Sequence, residues 1–319
     1  MKLLPFLGIL SSANFIHPNE YCHICKMHTM CKYKENTIPE NCTDYRKIEL
    51  TSENKTDIVE IHNNLRNFVA SGGYVNETDI HFPEAAAMIY LKWSDELADI
   101  AQRWADQCRV DENQDECRDT EEFSIGQNVV IMEYPSNSSL PSLPDIFMTK
   151  WGNSFRYFSS KDILEFKSNN ADKIGQYSQL IWDTTEYIGC GLITFKNHYV
   201  EEKGKVHTVR MVCNYGPAGN IDNTPIYKIG QPCSLCSSKK CHKKYRALCI
   251  SDWKSRLSLE KSRLNEDIKQ IMMEKYNIFR NGDDCFCETR YETDRGSPDV
   301  SFFRTSLVYV TTIWLVLFR

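Results

Sequence analysis

The sequence predicts a mixed α+β domain, and three stretches predict it. Residues 56–71 set Ile58, Ile61, Leu65, Phe68 and Val69 on one face at helical spacing. Residues 94–108 repeat the pattern with Leu97, Ile100, Ala101, Trp104 and Ala105. Residues 187–195 and 206–215 read as two strands joined by a loop, and pairing them sets Cys190 opposite Cys213 within bridging distance.

Taken in order, residues 1–13 read as a signal peptide: Lys2, then an apolar run from Leu3 to Leu10 broken by Pro5 and Gly8, then small residues for cleavage. Sequons at Asn41, Asn54, Asn76 and Asn137 agree with passage through the secretory pathway. Cys22, Cys25, Cys31 and Cys42 fall in a stretch with little apolar periodicity, which reads as a loop stapled onto something larger. The first helix takes Thr56 or Asp57 as its cap and stops at Gly72-Gly73; the second is capped by Ser94, with Asp95 and Glu96 in its first turn. An acidic loop from Cys108 to Cys117 lacks the alternating ligands and central glycine of a calcium loop, so it reads as solvated. Residues 126–132 read as a strand, 134–144 as a Pro/Ser-rich loop and 145–158 as a helix carrying Ile146, Phe147, Trp151, Phe155 and Phe158. The aromatic-apolar run at 175–185 then leads into the hairpin, with Tyr177 and Trp182 expected in the core.

A length of 319 residues fits one main domain with appendages, and a net charge of −5 gives no basic face for nucleic acid. Fourteen cysteines, clustered and even in number, fit a disulfide framework made in an oxidising compartment. Zinc half-sites at Cys22-x2-Cys25 and Cys233-x2-Cys236 are the alternative. Past residue 230, Cys233, Cys236, Cys241 and Cys249 make a compact lysine-rich extension whose connectivity spacing does not assign. Residues 252–280 read as a long amphipathic helix, and Cys285 and Cys287 close the unit. The chain ends in an apolar run of about 14 residues, below the roughly 20 that span a bilayer. Small residues, a short spacer and that tail resemble a glycosylphosphatidylinositol attachment signal with Gly296 or Ser297 as the attachment point; a short membrane span is the competing reading.

An ordered set of short motifs carries a family resemblance over residues 21–230: His62-Asn63-x-Leu65-Arg66, Trp93-Ser94-x-Glu96-Leu97, Gly126-Gln127-Asn128, Gln179-Leu180-Ile181-Trp182, Gly189-Cys190-Gly191 and Cys213-Asn214-Tyr215. The chain resembles the cysteine-rich secretory, antigen 5 and pathogenesis-related proteins (the CAP superfamily), and within it the arthropod antigen 5 or venom allergen group. The resemblance implies an α-β-α sandwich over residues 20–230, followed by a cysteine-rich, partly helical extension at 231–287 and a linker and tail at 288–319. It also implies four bridges: Cys22–Cys31, Cys25–Cys117, Cys42–Cys108 and Cys190–Cys213.

Many members of that family hold a divalent metal in a cleft of two histidines and two acids. The matching positions here are Gln114, Gln127, Ser154 and Gln176. Glutamine does not titrate, and its amide is a poor zinc ligand, so neither a metal nor a general acid or base is expected at these places. No Gly-x-Ser-x-Gly elbow occurs, and every cysteine has a plausible pairing. The expectation is a protein that is no enzyme, carries no cofactor and acts by binding. One target is a lipid or sterol, with Trp151, Phe155, Tyr157 and Phe158 as contacts; the competing reading is that these rings are core. Another is a protein partner met through the C-terminal helix. The rivals are a venom or salivary effector acting on a host channel or receptor, and a protease-like hydrolase, which the glutamines disfavour.

Overall fold

A computed structural model describes residues 18–250, apart from residues 41, 76–79, 115–116, 197–205 and 238–239, and all of them belong to one compact unit. The signal peptide, the 252–280 helix, Cys285, Cys287, Gly296, Ser297, Asn41 and Asn76 lie outside the described residues.

The elements run α1 (Pro18–Ile24), α2 (Thr29–Lys32), β1 (Thr43–Lys47), α3 (Ser52–Ala70), β2 (Tyr74–Val75), β3 (Ile80–His81), β4 (Lys92–Trp93), α4 (Asp95–Ala105), β5 (Gly126–Pro135) and α5 (Leu143–Lys150). A 3-10 turn (Gly152–Tyr157), α6 (Ser160–Leu164), α7 (Ala171–Leu180), β6 (Tyr187–Lys196) and β7 (Val206–Gly216) follow. The sheet has the order β1-β6-β7-β5, antiparallel throughout, with β4 added parallel to β6. The hairpin is the one the sequence predicts: Cys190 faces Cys213 and the two are bonded.

The two faces of the sheet bury different layers, because side chains alternate along each strand. Ile188, Cys190, Leu192, Val209, Met211, Cys213 and Tyr215 pack with α3, α5 and α7 in the larger core. Val129, Ile193, Phe195 and Val212 pack with Ala101, Trp104 and Ala105 of α4 in the smaller one. Helices on both faces of one sheet make the α-β-α sandwich that the family motifs imply. The Gly-Cys-Gly motif of β6 sits where α4 crosses. A Cβ on Gly189 would stand 2.2 Å from Ala98 N, and one on Gly191 would stand 2.4 Å from Gln102 Cα. Only a bare backbone lets α4 lie this close, while Cys190 between them points into the other layer.

Several boundaries differ from the sequence reading. α3 begins a turn early: Thr51 caps it, accepting from Asn54 N, and Asn54 Oδ1 accepts from Thr51 N in return. The apolar periodicity starts only at Ile58, so it cannot see this polar first turn. The 145–158 helix ends at Lys150 and continues as the 3-10 turn. The run at 175–185 is the end of α7 followed by a turn, which its short apolar spacing conceals; Tyr177 and Trp182 are both buried, as expected.

The bridges Cys22–Cys31 and Cys42–Cys108 are formed, and the extension resolves into Cys233–Cys241 and Cys236–Cys249. The expected Cys25–Cys117 bridge is not closed: the two stand as thiols in hydrogen-bonding contact, with burial pushing the Cys117 thiol up to about 12. The N-terminal loop holds the pair together through Thr29 N donating to Cys117 O at 2.9 Å and the His28 ring Nε2 donating to Asp119 O at 2.9 Å. Among the described residues, the sulfurs of Cys233, Cys236 and Cys249 form one close group, but bridges take up all three.

Candidate functional site: an amide-lined cleft

The cleft is built where β5, α7 and the loop between Cys108 and Cys117 meet. Arg210, fully buried on β7, fixes the loop by donating Nη1 to the carbonyls of Arg109 (2.8 Å) and Asp111 (2.7 Å). This places Glu112 and Gln114 at the rim, both exposed. Gln114 Nε2 donates to Gln127 O at 2.7 Å, and its Oε1 accepts from Arg118 at 2.8 Å. Gln127 is 2 % exposed and donates to Asn214 Oδ1 at 2.8 Å across the β5–β7 pair. Gln176, half-buried on α7, donates to Val129 O at 3.3 Å and approaches Glu112 Oε2 at 3.5 Å. Three of the four sequence-predicted positions therefore meet around the start of β5. Ser154, the fourth, lies half-buried in the 3-10 turn, where its N–H bonds Trp151 O.

The donor set settles what chemistry this cleft can perform. A zinc site needs imidazole or carboxylate ligands with lone pairs aimed at one point. Here the amides of Gln114, Gln127 and Gln176 bind backbone or side-chain oxygens, and Glu112 is the one carboxylate described among them. These residues do not fit the divalent metal of the family cleft. They also offer no titrating pair for acid–base work.

Behind the cleft lies a polar chain that motif spacing did not reveal. Asn128 Nδ2 donates to Gln176 O at 2.9 Å, and its side chain also bonds the Tyr215 hydroxyl. Tyr215 Oη is 3.0 Å from His62 Nε2, and His62 Nδ1 is 2.6 Å from Ile58 O. A carbonyl only accepts, so Nδ1 carries the proton and Nε2 accepts from the tyrosine. Burial pushes the His62 pKa down to about 4, and burial raises Tyr215. His62 is thus a neutral, fully hydrogen-bonded core residue. Its motif partners do similar work: Asn63 brackets Leu91 through N and O (2.8 and 3.0 Å), and Arg66 donates into a ring of backbone carbonyls.

The candidate lipid contacts divide. Trp151 and Phe158 are buried in the larger core, Phe155 packs against it, and Tyr157 is 67 % exposed. Phe155 lies tilted against Tyr177 at 6.3 Å and Phe158 meets it edge-on at 5.5 Å. Trp151, Phe155 and Phe158 pack the helical layer, whereas Tyr157 stands at the surface. Asn137 is exposed in a turn after β5, and Asn54 keeps Nδ2 outside its capping box.

Comparison with known proteins agrees with this architecture. A profile described as "Cysteine-rich secretory protein family" matches residues 59–215. The chain is 37 % identical to a "Venom allergen 3 homolog" of Dinoponera quadriceps, covering 71 % of this chain and 94 % of the relative. It is 39 % identical to "Venom allergen 3" of Solenopsis invicta (68 % and 92 %) and 39 % identical to "Venom allergen 5" of Dolichovespula arenaria (66 % and 99 %). Among solved structures, "Structure of BmVAL-1" is 29 % identical with a TM-score of 0.51, covering 68 % of this chain and 99 % of that one. "Crystal structure of NaASP2 with Zn2+" is 24 % identical with a TM-score of 0.50 (67 % and 100 %), a likeness of fold alone.

Proposed function

The chain belongs to the cysteine-rich secretory protein family, beside venom allergens 3 and 5, and we propose that it acts there by binding and not by catalysis. The observation that carries this reading is the set of three amides, Gln114, Gln127 and Gln176, at positions where relatives place metal ligands and acids. Each side chain is neutral at every working pH, and each holds a neighbouring oxygen in place. A cleft so built keeps its shape without acquiring a reactive group.

The protein is secreted or held at a cell surface, and its target is a hydrophobic ligand such as a sterol or fatty acid, or a protein partner. Purification from insect cells, solvent extraction and mass spectrometry tests the lipid form; no recovered lipid, together with no uptake of fatty acid or sterol, overturns that form and leaves the protein partner. Hydrolysis is tested on the same sample. Turnover that a chelator stops and that Gln176→Ala or Gln127→Ala abolishes would overturn the binding reading. Surface attachment through the tail predicts release from whole cells by a phosphatidylinositol-specific phospholipase.

A further inference from the structure

A second concavity lies away from the cleft. It is a groove of about 400 Å³ between the first turns of α3, strand β4 and the cysteine-rich extension. Its walls are aromatic: Tyr90 stacks on His242 with centroids 4.2 Å apart and planes 7° apart, Tyr245 follows at 5.7 Å, and Trp93 is half-buried. Its cations come from three elements: Lys55 from α3, Lys92 from β4 and Lys244 from the extension.

Each lysine already has a carboxylate, but the three pairs are not equivalent. Lys92 bonds Glu186, which is fully buried, at 2.8 Å, and that pair is fixed. Lys55–Asp95 and Lys244–Glu60 are exposed on both sides. Such pairs contribute little and exchange partners readily. An incoming anion can therefore recruit two of the ammoniums at small cost. The N-terminal end of the 19-residue α3 opens on the same groove and favours negative charge.

The charge of the extension also points to an anionic ligand. Residues 231–250 hold Lys239, Lys240, Lys243, Lys244 and Arg246 with no aspartate or glutamate, in a chain whose net charge is −5. Two bridges clamp the described part of this segment, which sets His242, Lys244 and Tyr245 on the groove.

We propose that the groove and the adjoining face of the extension bind an acidic saccharide, with sulfate or carboxylate groups on Lys55, Lys244 and the neighbouring extension lysines and sugar rings against Tyr90 and Trp93. Recruitable cations on two separate elements, α3 and the extension, suit an extended ligand with several charges better than a single headgroup, and flat rings suit the apolar faces of pyranoses. The site is independent of the amide cleft, and its failure would leave the reading of that cleft untouched.

The test uses the purified full chain and a heparin-derived sulfated tetrasaccharide, titrated calorimetrically at 50 and 200 mM NaCl, with chitotetraose and phosphatidylserine vesicles in parallel. The expected result is binding of the sulfated tetrasaccharide alone, weakened at least about tenfold by the added salt, as counterion release requires. Lys55→Ala/Lys244→Ala should weaken it a further tenfold or so, Lys243→Ala less, and Lys161→Ala on α6 not at all. All four lysines are surface groups, so circular dichroism should show unchanged folding. No binding at 50 mM NaCl, binding indifferent to Lys55→Ala/Lys244→Ala, or binding of vesicles without the tetrasaccharide each overturns the proposal.

Discussion

Replacing Arg66 by methionine should remove a large share of this domain's stability although Arg66 touches no ligand site. The guanidinium is fully buried and has no direct carboxylate partner among the described residues. It donates instead to Ile89 O twice (3.0 and 2.8 Å), to Leu180 O (2.9 Å) and Trp182 O (2.8 Å), and more weakly to Asp183 O (3.4 Å) and Thr185 O (3.3 Å). Burial pushes its pKa down to about 9, with the Asp183 charge opposing, so it remains a cation at neutral pH. Two of the five carbonyls have a second donor: Asp183 O accepts from Ile89 N and Trp182 O from Thr185 N. The carbonyls of Ile89, Leu180 and Thr185 depend on Arg66 among the described bonds.

An orphaned buried acceptor costs about 1–3 kcal/mol. Three of them cost roughly 3–9 kcal/mol before relaxation, and Asp183 loses its nearby cation as well. We therefore expect Arg66→Met to lose about 5 kcal/mol, a large share of the 5–15 kcal/mol typical of a domain. For a domain of this size that is a fall in Tm on the order of 10–20 °C. Arg66→Lys should fall between, because it keeps the charge but its compact head cannot reach both sides of the carbonyl ring. Urea unfolding followed by near-ultraviolet circular dichroism measures both variants. Arg66→Met within about 1 kcal/mol of the natural protein would refute the reasoning, since the turn at 180–185 would then hold itself.

Three other outcomes follow. His62 binds its proton near pH 4 in the folded state and near 6.5 unfolded, so its contribution is intact above pH 6.5 and is lost as pH falls toward 4, by about 3 kcal/mol in all; comparing urea midpoints of the natural protein and His62→Asn from pH 7.5 to 4.5 should show the difference narrowing. Gly191→Ala drives a methyl into the α4 backbone and should cost about 3 kcal/mol, read as a lower Tm with β6 otherwise intact. Cys25 and Cys117 stand as thiols in contact, so the oxidising machinery of insect-cell secretion should close them into a bridge that peptide mapping without reduction detects; two alkylatable thiols would contradict this.

How much of this was legible depended on what each residue faces. The α4 stripe and the β6–β7 hairpin were readable because their apolar residues repeat at 3.6 and 2.0 and lie against a core. The first turn of α3 and most of α7 were not, because the polar Thr51–Asn54 cap has no apolar period and α7 fills several of its buried positions with Gly175, Ser178 and Gln179, which interrupt the apolar stripe. In the cleft, the identities of Gln114, Gln127 and Gln176 were legible, but their contacts were not. Glu112 reaches Gln176 only because Arg210, about 100 positions away, ties down the loop between them. No local pattern encodes a pairing at that separation. The extension bridges were equally closed to spacing, since four cysteines allow three connectivities and backbone contacts such as Cys249 N to Met88 O decide among them.

The motifs that identify the family turn out to be structural in a specific sense. His62, Asn63 and Arg66 on α3, and Gln179 on α7, use their hydrogen-bonding groups on backbone or on other core side chains. Gln179 accepts from Gly219 N at 2.9 Å and donates to Thr185 Oγ1 at 3.2 Å, so it ties the turn after α7 to the segment that follows β7, 40 residues away. Residues so committed change at heavy cost to folding, so they report the sandwich and carry little information about activity. The side chains that reach solvent are those at rims, such as Glu112 and Gln114 at the cleft and Lys55 and Lys244 at the groove. Shared motifs therefore establish the architecture of this chain, and its binding behaviour has to be sought at those exposed positions.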